Sequence, residues 1–591
     1  MAYQVGTSDF VRNLRKIYGV YTGGFIGFVL VLALLEQIGV PNQIIGYMFV
    51  FLTIGIYAAI GIMSRTAQVS EYYVAGRTVP AIYNGMATGA DWMSAASFIG
   101  MAGTLYLLGY DGLAFVLGWT GGYVLVAVLL APYLRKFGAY TVPDFLGARY
   151  GGNAARVVGI LVLMAASFTY VVAQVYGVGI IASRFLGISF EIAVFVGLVG
   201  ILVCSMLGGM RAVTWTQVAQ YIILIIAYLV PVVILSAQIT GVPIPQIMYG
   251  KVLQQIAAIE PTIGVTKAHT APFTTYDPIN YFGLIFCLMV GTASLPHVLM
   301  RFFTTPSVRE ARASVGWALF FIFMLYFTAP AYAVFAKYEV YTNVIGQPIA
   351  QLPAWVSAWG NVGLVTIKDA NADGILQFAE FAINADAIVL ATPEIAGLPY
   401  VVAGLVAAGG LAAALSTADG LLLAIANALS HDIYYRMVDP KASAQRRLIV
   451  ARVLLVFVAL VAAFVAGTKP ATILAMVAWA FSIAASGLFP ALVMGIWWKR
   501  TTSAGAVAGM IAGFGVCLFY LIGTQYYGMP LWFGVRNISC GLFGIPAAFL
   551  VTWIVSKMTP APSQEMQDFI DSIRIPRGGP VMDHGVRAHG H

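Results

Sequence analysis

The sequence predicts an all-α polytopic membrane protein with about fourteen transmembrane helices, and three observations predict it. Sixty per cent of the 591 residues are hydrophobic and only nine per cent are charged, where a soluble domain carries about a quarter charged. The apolar residues come in long runs, and about 20 of them span a hydrocarbon core about 30 Å thick. The 31 Lys and Arg residues gather in alternate gaps between those runs. Lipid is therefore the solvent for most of the chain. The net charge of +8 is a topology signal, and no nucleic-acid partner is expected.

Taken in order, the apolar runs lie at 21–40, 44–64, 82–108, 112–134, 155–183, 188–208, 213–239, 278–304, 312–336, 398–428, 449–467, 470–497, 504–525 and 532–556. Arg12, Arg15 and Lys16 precede the first run, as in a signal peptide. Glu36 and Gln37 follow it in place of a small-residue cleavage site, so it is read as a helix. With a cytoplasmic amino terminus and strict alternation, the outer side holds Arg184, Lys251, Lys267, Lys337, Lys368, Lys469 and Arg536. Those are seven of the 31 basic residues, and the other 24 lie inside. Both termini are then cytoplasmic, which suits a bacterial inner membrane. Two long outer loops follow, at about 240–277 and 337–397. The tail from Lys557, with His584, His589 and His591, is expected to be disordered or loosely docked. Cys204, Cys287, Cys517 and Cys540 read as small hydrophobes in helix packing.

The runs group into peripheral helices (1–70), five helices (82–239), five more (278–497, with the outer loop 337–397), peripheral helices (504–556) and the tail (557–591). Five is odd, so the second group is inverted relative to the first. That is the parity of inverted-repeat membrane proteins, whose sites lie at mid-membrane between the repeats. The openings of the two groups agree. Asn84 to Gly100 carries Gly, Ser and the carboxylate Asp91 at mid-span, and Gly291-Thr-Ala-Ser-Leu-Pro-His297 places a proline at the matching point. Both suit helices locally unwound around a site, where free carbonyls can ligate a cation.

Ionisable residues inside the membrane are functional candidates by default. Asp91 and Asp419 are two of them. Asp419 follows Ser416 and Thr417 in a run of small residues, which supplies neutral oxygen ligands for a hard cation and is equally a packing seam. Either carboxylate could instead carry a proton. No Ser/His/Asp arrangement or metal-ligand cluster appears in the runs, which argues against an enzyme.

Five segments together carry a resemblance: Phe98 to Gly103, Tyr140 to Leu146, Gly208 to Gln220, Gly291 to Thr304, and Ser416 to Tyr434. In this order and spacing, over about residues 70 to 500, the chain resembles the sodium:solute symporter family and its acetate and short-chain monocarboxylate permease branch. The resemblance implies the leucine-transporter type of fold and sodium-coupled symport of a small carboxylate. It implies a sodium ion held by the carbonyls of Ala90, Met93 and Ala413 and the hydroxyls of Ser416 and Thr417. Many relatives carry an aspartate, implicated in cation passage, where this chain has Gln217, which puts the ion's release route and number in question. Small accessory membrane subunits occur in this branch. Substrate candidates are Trp92, Ser94, Ser97, Thr292, Ser294 and His297, the last equally readable as a packing histidine. Arg301 reads as a cap on the inner helix end. A transporter-like nutrient sensor is the remaining alternative, and a tail of about 35 residues is too short for a signalling domain.

The second outer loop holds a separate motif. Asp369 to Glu380 matches a twelve-residue EF-hand loop, with side-chain oxygens from Asp369, Asn371 and Asp373, the Ile375 carbonyl, a turn at Gly374 and a bidentate Glu380. A structural calcium ion is expected there.

Overall fold

Glycine, serine and proline at mid-span divide two of the apolar runs, and the architecture follows from those divisions. The computed structural model describes residues 9–575; the tail histidines lie outside them. Among the described residues, twelve helical stretches are long and apolar enough to cross a membrane, against the fourteen runs of the sequence. The first difference lies at 81–137, where the run at 82–108 breaks and its second half joins the next run as the stretch Ala96–Phe137. The second lies at 188–208, where only Phe190–Gly200 counts, as a shorter apolar helix.

Two outer helices, α1 (Leu14–Gln37) and α2 (Asn42–Met63), precede the first broken one. Helix α3 (Ala81–Trp92) stops at Met93, and after a tight turn in which Ser94 N–H bonds the Trp92 carbonyl the chain resumes through a π-helical turn (Ala96–Gly100) into α4 (Met101–Leu108). Helices α5 (Leu113–Leu125) and α6 (Ala131–Phe137) carry it back, with the short α7 (Val142–Tyr150) beyond them. Then follow α8 (Asn153–Leu186) and α9 (Phe190–Thr240). Gly209 breaks α9 at φ +54°, and a Cβ there would stand 2.6 Å from Tyr72. The left-handed conformation and the close approach both demand glycine.

Beyond α10 (Pro245–Ile259), the second broken helix is α11 (Pro278–Thr292) followed by α12 (Pro296–Phe303). Pro296 sits at the first turn of α12, where its missing N–H costs nothing. Val79 N–H donates to the Thr304 carbonyl (3.2 Å), so the start of α3 and the end of α12 share one membrane face. Helices α13 (Val308–Tyr326) and α14 (Ala329–Asn343) lead to the outer loop. It holds α15 (Ala354–Gly360), the antiparallel pair β1 (Val365–Ile367) and β2 (Phe381–Ile383), with Thr366 opposite Ala382, and α16 (Ala385–Ile395).

Helix α17 (Tyr400–Asn427), continuing in π-helical turns to Val438, has an apolar stretch that is buried throughout. A helix apolar on every side is a core helix, and α17 packs on α8, α9 and α3. Helices α18 (Ala444–Gly467), α19 (Ile473–Gly487), α20 (Phe489–Trp497), α21 (Ser503–Tyr526) and α22 (Gly541–Met558) complete the membrane part. The tail is not loose where it is described. Gln564–Arg574 forms an amphipathic α23 that buries Ile570 and Ile573 and pairs Asp571 with Lys499 at 2.5 Å. Its apolar stripe is short and interrupted by charge, which is why composition alone reads as a polar end.

Candidate functional site

The breaks of α3 and α11 bring four half-helix ends to mid-membrane. Helices α3 and α11 end there, presenting carbonyls. The π-turn before α4 and α12 begin there, presenting N–H groups. Helix dipoles make the first pair of ends attractive to a cation and the second to an anion.

On the cation side, α17 lies against the end of α3. Ser416 Oγ donates to the carbonyls of Ala90 (2.7 Å) and Ala413 (2.9 Å). Thr417 Oγ1 donates to the Asp91 carbonyl (2.8 Å) and lies 3.3 Å from the Ala413 carbonyl. Four of the five expected sodium ligands thus meet, with Met93 buried at the break itself. Helix approach is possible because residue 420 is glycine: a Cβ there would stand 2.2 Å from Asp91 Oδ1. Asp419 turns elsewhere, its Oδ1 accepting from Ser205 Oγ of α9 (2.5 Å).

Arg301 does not cap the end of α12. Its guanidinium is fully buried and its Nε donates to Asp91 Oδ2 at 3.0 Å. Nη1 donates to Thr214 Oγ1 (3.0 Å), and Nη2 to Gln217 Oε1. Gln217 Nε2 donates to the Ser416 carbonyl (2.7 Å). A buried charge needs a counter-charge and hydrogen bonds on its remaining donors, and Arg301 finds both inward. The break shortens α12 to eight residues, so this arginine is held among α3 and α9 instead of snorkelling from a long helix end.

On the anion side, rings pack against one another beside the breaks. Trp92 meets Tyr123 (centroids 5.0 Å) and Phe481 (5.5 Å). Phe481 meets Trp119 (5.7 Å) and Tyr170 (5.9 Å), and Tyr170 meets His297 (5.5 Å). Several polar atoms here lack a protein hydrogen-bond partner: Trp119 Nε1, Tyr123 Oη, Gln174 Nε2 and both ring nitrogens of His297. Gln174 Oε1 accepts the Ala95 N–H at 2.8 Å, which fixes which end of its amide remains. Ser97 Oγ pairs with Tyr326 Oη (3.0 Å) and Ser94 Oγ accepts the Ala96 N–H (3.2 Å). Thr292 and Ser294 bond back to the carbonyls of their own helix, Leu288 (2.7 Å) and Val290 (2.9 Å). Trp119, Tyr123, Tyr170, Gln174, Tyr326 and Phe481 had no mark in the sequence, because aromatic and amide residues on apolar runs read as packing.

Two of the resembling segments meet at the membrane face where α3 starts. Thr141 Oγ1 donates to Asp432 Oδ2 (2.7 Å), beside Asp144 and His431. The three ligand-type residues lie close enough for a metal ion, a grouping the linear sequence did not reveal. Arg156 lies 3.5 Å from Asp144 and 3.7 Å from Asp432, Arg436 lies 3.7 Å from Asp144, and Arg447 meets His431 Nδ1 at 3.0 Å. The cluster is a charge network tying α7 and α8 to the end of α17.

In the outer loop, Asp369 Oδ2 accepts Gly374 N–H (3.1 Å), Asn371 Oδ1 accepts Asp373 N–H (3.1 Å), and Asp373 Oδ1 accepts Ile375 N–H (2.8 Å). Glu380 holds Ala370 N–H (2.8 Å) and Gln377 N–H (3.1 Å), one on each carboxylate oxygen. The loop closes the hairpin β1–β2 instead of joining two helices.

Comparison with known proteins adds to this geometry. The sodium:solute symporter family matches residues 72–513. An uncharacterised symporter of Cupriavidus necator is 46% identical over 96% of this chain and 99% of its own. A monocarboxylic acid transporter of Corynebacterium glutamicum is 29% identical over 88% of this chain and 92% of its own. Among solved structures, a sodium-coupled sialic acid symporter in its substrate-bound outward-open state superposes with a TM-score of 0.66 at 16% identity. It covers 88% of this chain and 99% of that one. At that identity the likeness carries the fold, which is of the leucine-transporter type.

Proposed function

Because the chain belongs to the sodium:solute symporter family, we propose that it carries a small monocarboxylate such as acetate inward together with sodium. Residues 82–239 and 278–497 serve as the two inverted repeats of an alternating-access cycle. The observation that carries the substrate reading is the set of unpartnered polar groups among these packed rings. The groups at Trp119, Tyr123 and Gln174 can donate, and Gln174 sits at the start of the half-helix that resumes after the first break, holding the Ala95 N–H. A buried donor without an acceptor is costly, and a carboxylate is the ligand that satisfies several donors at once. Rings packed at 5.0 to 5.9 Å suit a short acyl chain. The monocarboxylic acid transporter among the relatives supports the same class.

Sodium is assigned to the carbonyls of Ala90, Met93 and Ala413 with the hydroxyls of Ser416 and Thr417. The hydroxyl-to-carbonyl bonds described above gather four of those oxygens, and an ion would take their lone pairs while each hydroxyl keeps its proton and turns it away. Trp92, Ser94, Ser97 and His297 complete the substrate side; Thr292 and Ser294, bonded to their own helix, shape the break. The rival is proton coupling through Asp91 or Asp419. Against it, Asp91 already has Arg301 as its counter-charge.

Radiolabelled acetate uptake into proteoliposomes tests both halves of this reading. An inward sodium gradient should drive accumulation that potassium does not, at matched pH and membrane potential. Equal uptake on a proton gradient without sodium would transfer coupling to the carboxylates. Absence of acetate uptake under every gradient would overturn the substrate.

The outer loop is proposed to hold a structural calcium ion. The oxygens of Asp369, Asn371, Asp373 and Glu380 and the Ile375 carbonyl fit oxygen-only coordination. Single extracellular loops of this kind bind at about 10⁻⁴ to 10⁻³ M. Millimolar calcium should therefore raise the thermal unfolding temperature of the wild type and leave Asp369→Ala unmoved; no rise in the wild type rejects the site.

A further inference from the structure

Arg301 touches both halves of the site, and we propose that it is the positioning residue through which sodium occupancy raises substrate affinity. The inference rests on the sodium and carboxylate reading above. Its basis is a continuous set of hydrogen bonds. On one side, Gln217 takes Arg301 Nη2 on its oxygen and gives its NH₂ to the Ser416 carbonyl (2.7 Å). On the other, Arg301 Nε holds Asp91 (3.0 Å), whose backbone carbonyl accepts the Thr417 hydroxyl (2.8 Å). One route ends on the backbone carbonyl of Ser416 and the other on the hydroxyl of Thr417, the two neighbouring residues whose hydroxyls are assigned to sodium. A single group is thereby fixed to α3, α9 and α17 at once.

The output end lies on the same short helix. His297 stands four residues before Arg301, one turn up α12, with both ring nitrogens unpartnered and its ring against Tyr170. Helix α12 is eight residues long and free of α11 at the Ala293–Leu295 break. A segment of that size moves as one piece. A sodium ion held between the Ala90 carbonyl and the Ser416 hydroxyl shifts the residues on which the two anchors of Arg301, Asp91 and Gln217, rest, and the guanidinium carries the shift along α12 to His297. Arginine suits this role and lysine does not, because only a planar fork serves Asp91, Thr214 and Gln217 together.

The test is equilibrium binding of radiolabelled acetate to the purified full-length protein in sodium and in potassium, read as the ratio of the two dissociation constants. Coupling between sites is reciprocal and typically about 5- to 150-fold. The wild type should show a ratio in that range. Arg301→Lys and Gln217→Leu should each bring it to within about twofold of unity. Gln217→Leu leaves the Asp91–Arg301 pair intact, so it decides the matter if Arg301→Lys does not fold. Were Arg301 and Gln217 only structural, both dissociation constants would rise together and the ratio would stay at its wild-type value; that result overturns the inference alone. A wild type that binds acetate equally in sodium and potassium overturns it together with the symport reading.

Discussion

Ser416 and Thr417 offer the sharpest residue-level test, since each contributes one hydroxyl and no charge. Replacing both by Ala should cut sodium-driven acetate uptake by at least about tenfold, at about 1 kcal/mol per lost oxygen contact. Half-saturating sodium should rise in parallel; unchanged sodium dependence would place the ion elsewhere. Tyr123→Phe probes the other side. It removes one donor from a proposed anion, a loss of about 1.5–3 kcal/mol, so half-saturating acetate should rise about tenfold or more at saturating sodium. Equal kinetics would take Tyr123 out of the substrate site. The hydroxyl pair and Tyr123 differed in how legible they were. Adjacent hydroxyls in a run of small residues stand out in a membrane helix, whereas Tyr123 is one aromatic among many. Arg301 was misread for a related reason: a basic residue near the end of an apolar run is ordinarily a snorkelling cap, and only the α11–α12 break places it inside.

Among the elements, α16 carries a pH-sensitive contact where it meets α19. Asp386 is fully buried at its first turn, and its Oδ2 accepts the Ile473 N–H at the start of α19 (3.3 Å). Burial raises its pKa to about 7 from an ordinary 3.8, against the weaker lowering by that hydrogen bond. Between about pH 4 and 7 the folded protein holds a proton that the unfolded chain has released. Stability therefore falls as pH rises through this window, by at most about 1.4 kcal/mol per unit, and levels off above the folded pKa. Thermal unfolding followed from pH 5 to 8 should show this decline in the wild type and a smaller one in Asp386→Asn. Identical profiles would remove Asp386 from the account. The neighbouring hairpin shows what pattern can and cannot reveal about an element. The oxygen spacing of Asp369 to Glu380 is local and readable, while the strands on either side, three residues each, are too short to announce themselves.

For the whole molecule, ligand binding to the folded state alone raises stability by about 2.7 kcal/mol at a hundredfold excess over the dissociation constant. Sodium at that excess should raise the unfolding temperature of the detergent-solubilised protein where equal potassium does not. Ser416→Ala with Thr417→Ala should abolish the difference. A shift that survives in the double variant would show that other sites bind the ion. The described end of the chain also joins the whole: α23 docks through Ile570, Ile573 and the Asp571–Lys499 pair, so removing it should lower the unfolding temperature.

The sequence by itself determined the class of solvent, the helical content and the two weak stretches at 84–100 and 291–297, because lipid forces every backbone group into a helix and makes each departure from apolar composition conspicuous. It also determined the family, through five segments scattered along the chain. Only the tertiary structure decided which of those segments meet, how the apolar runs join and divide, among the described residues, into twelve stretches long and apolar enough to span, and which side chains face the breaks. Apolar periodicity says little about direction in a helix that is buried on all sides. Asp91 against Arg301, Gln217 against Ser416, and Trp119 and Tyr123 beside Phe481 are pairings between distant helices, fixed by close approach at residues such as Gly420 and Gly209 and by the need of each buried charge for a partner.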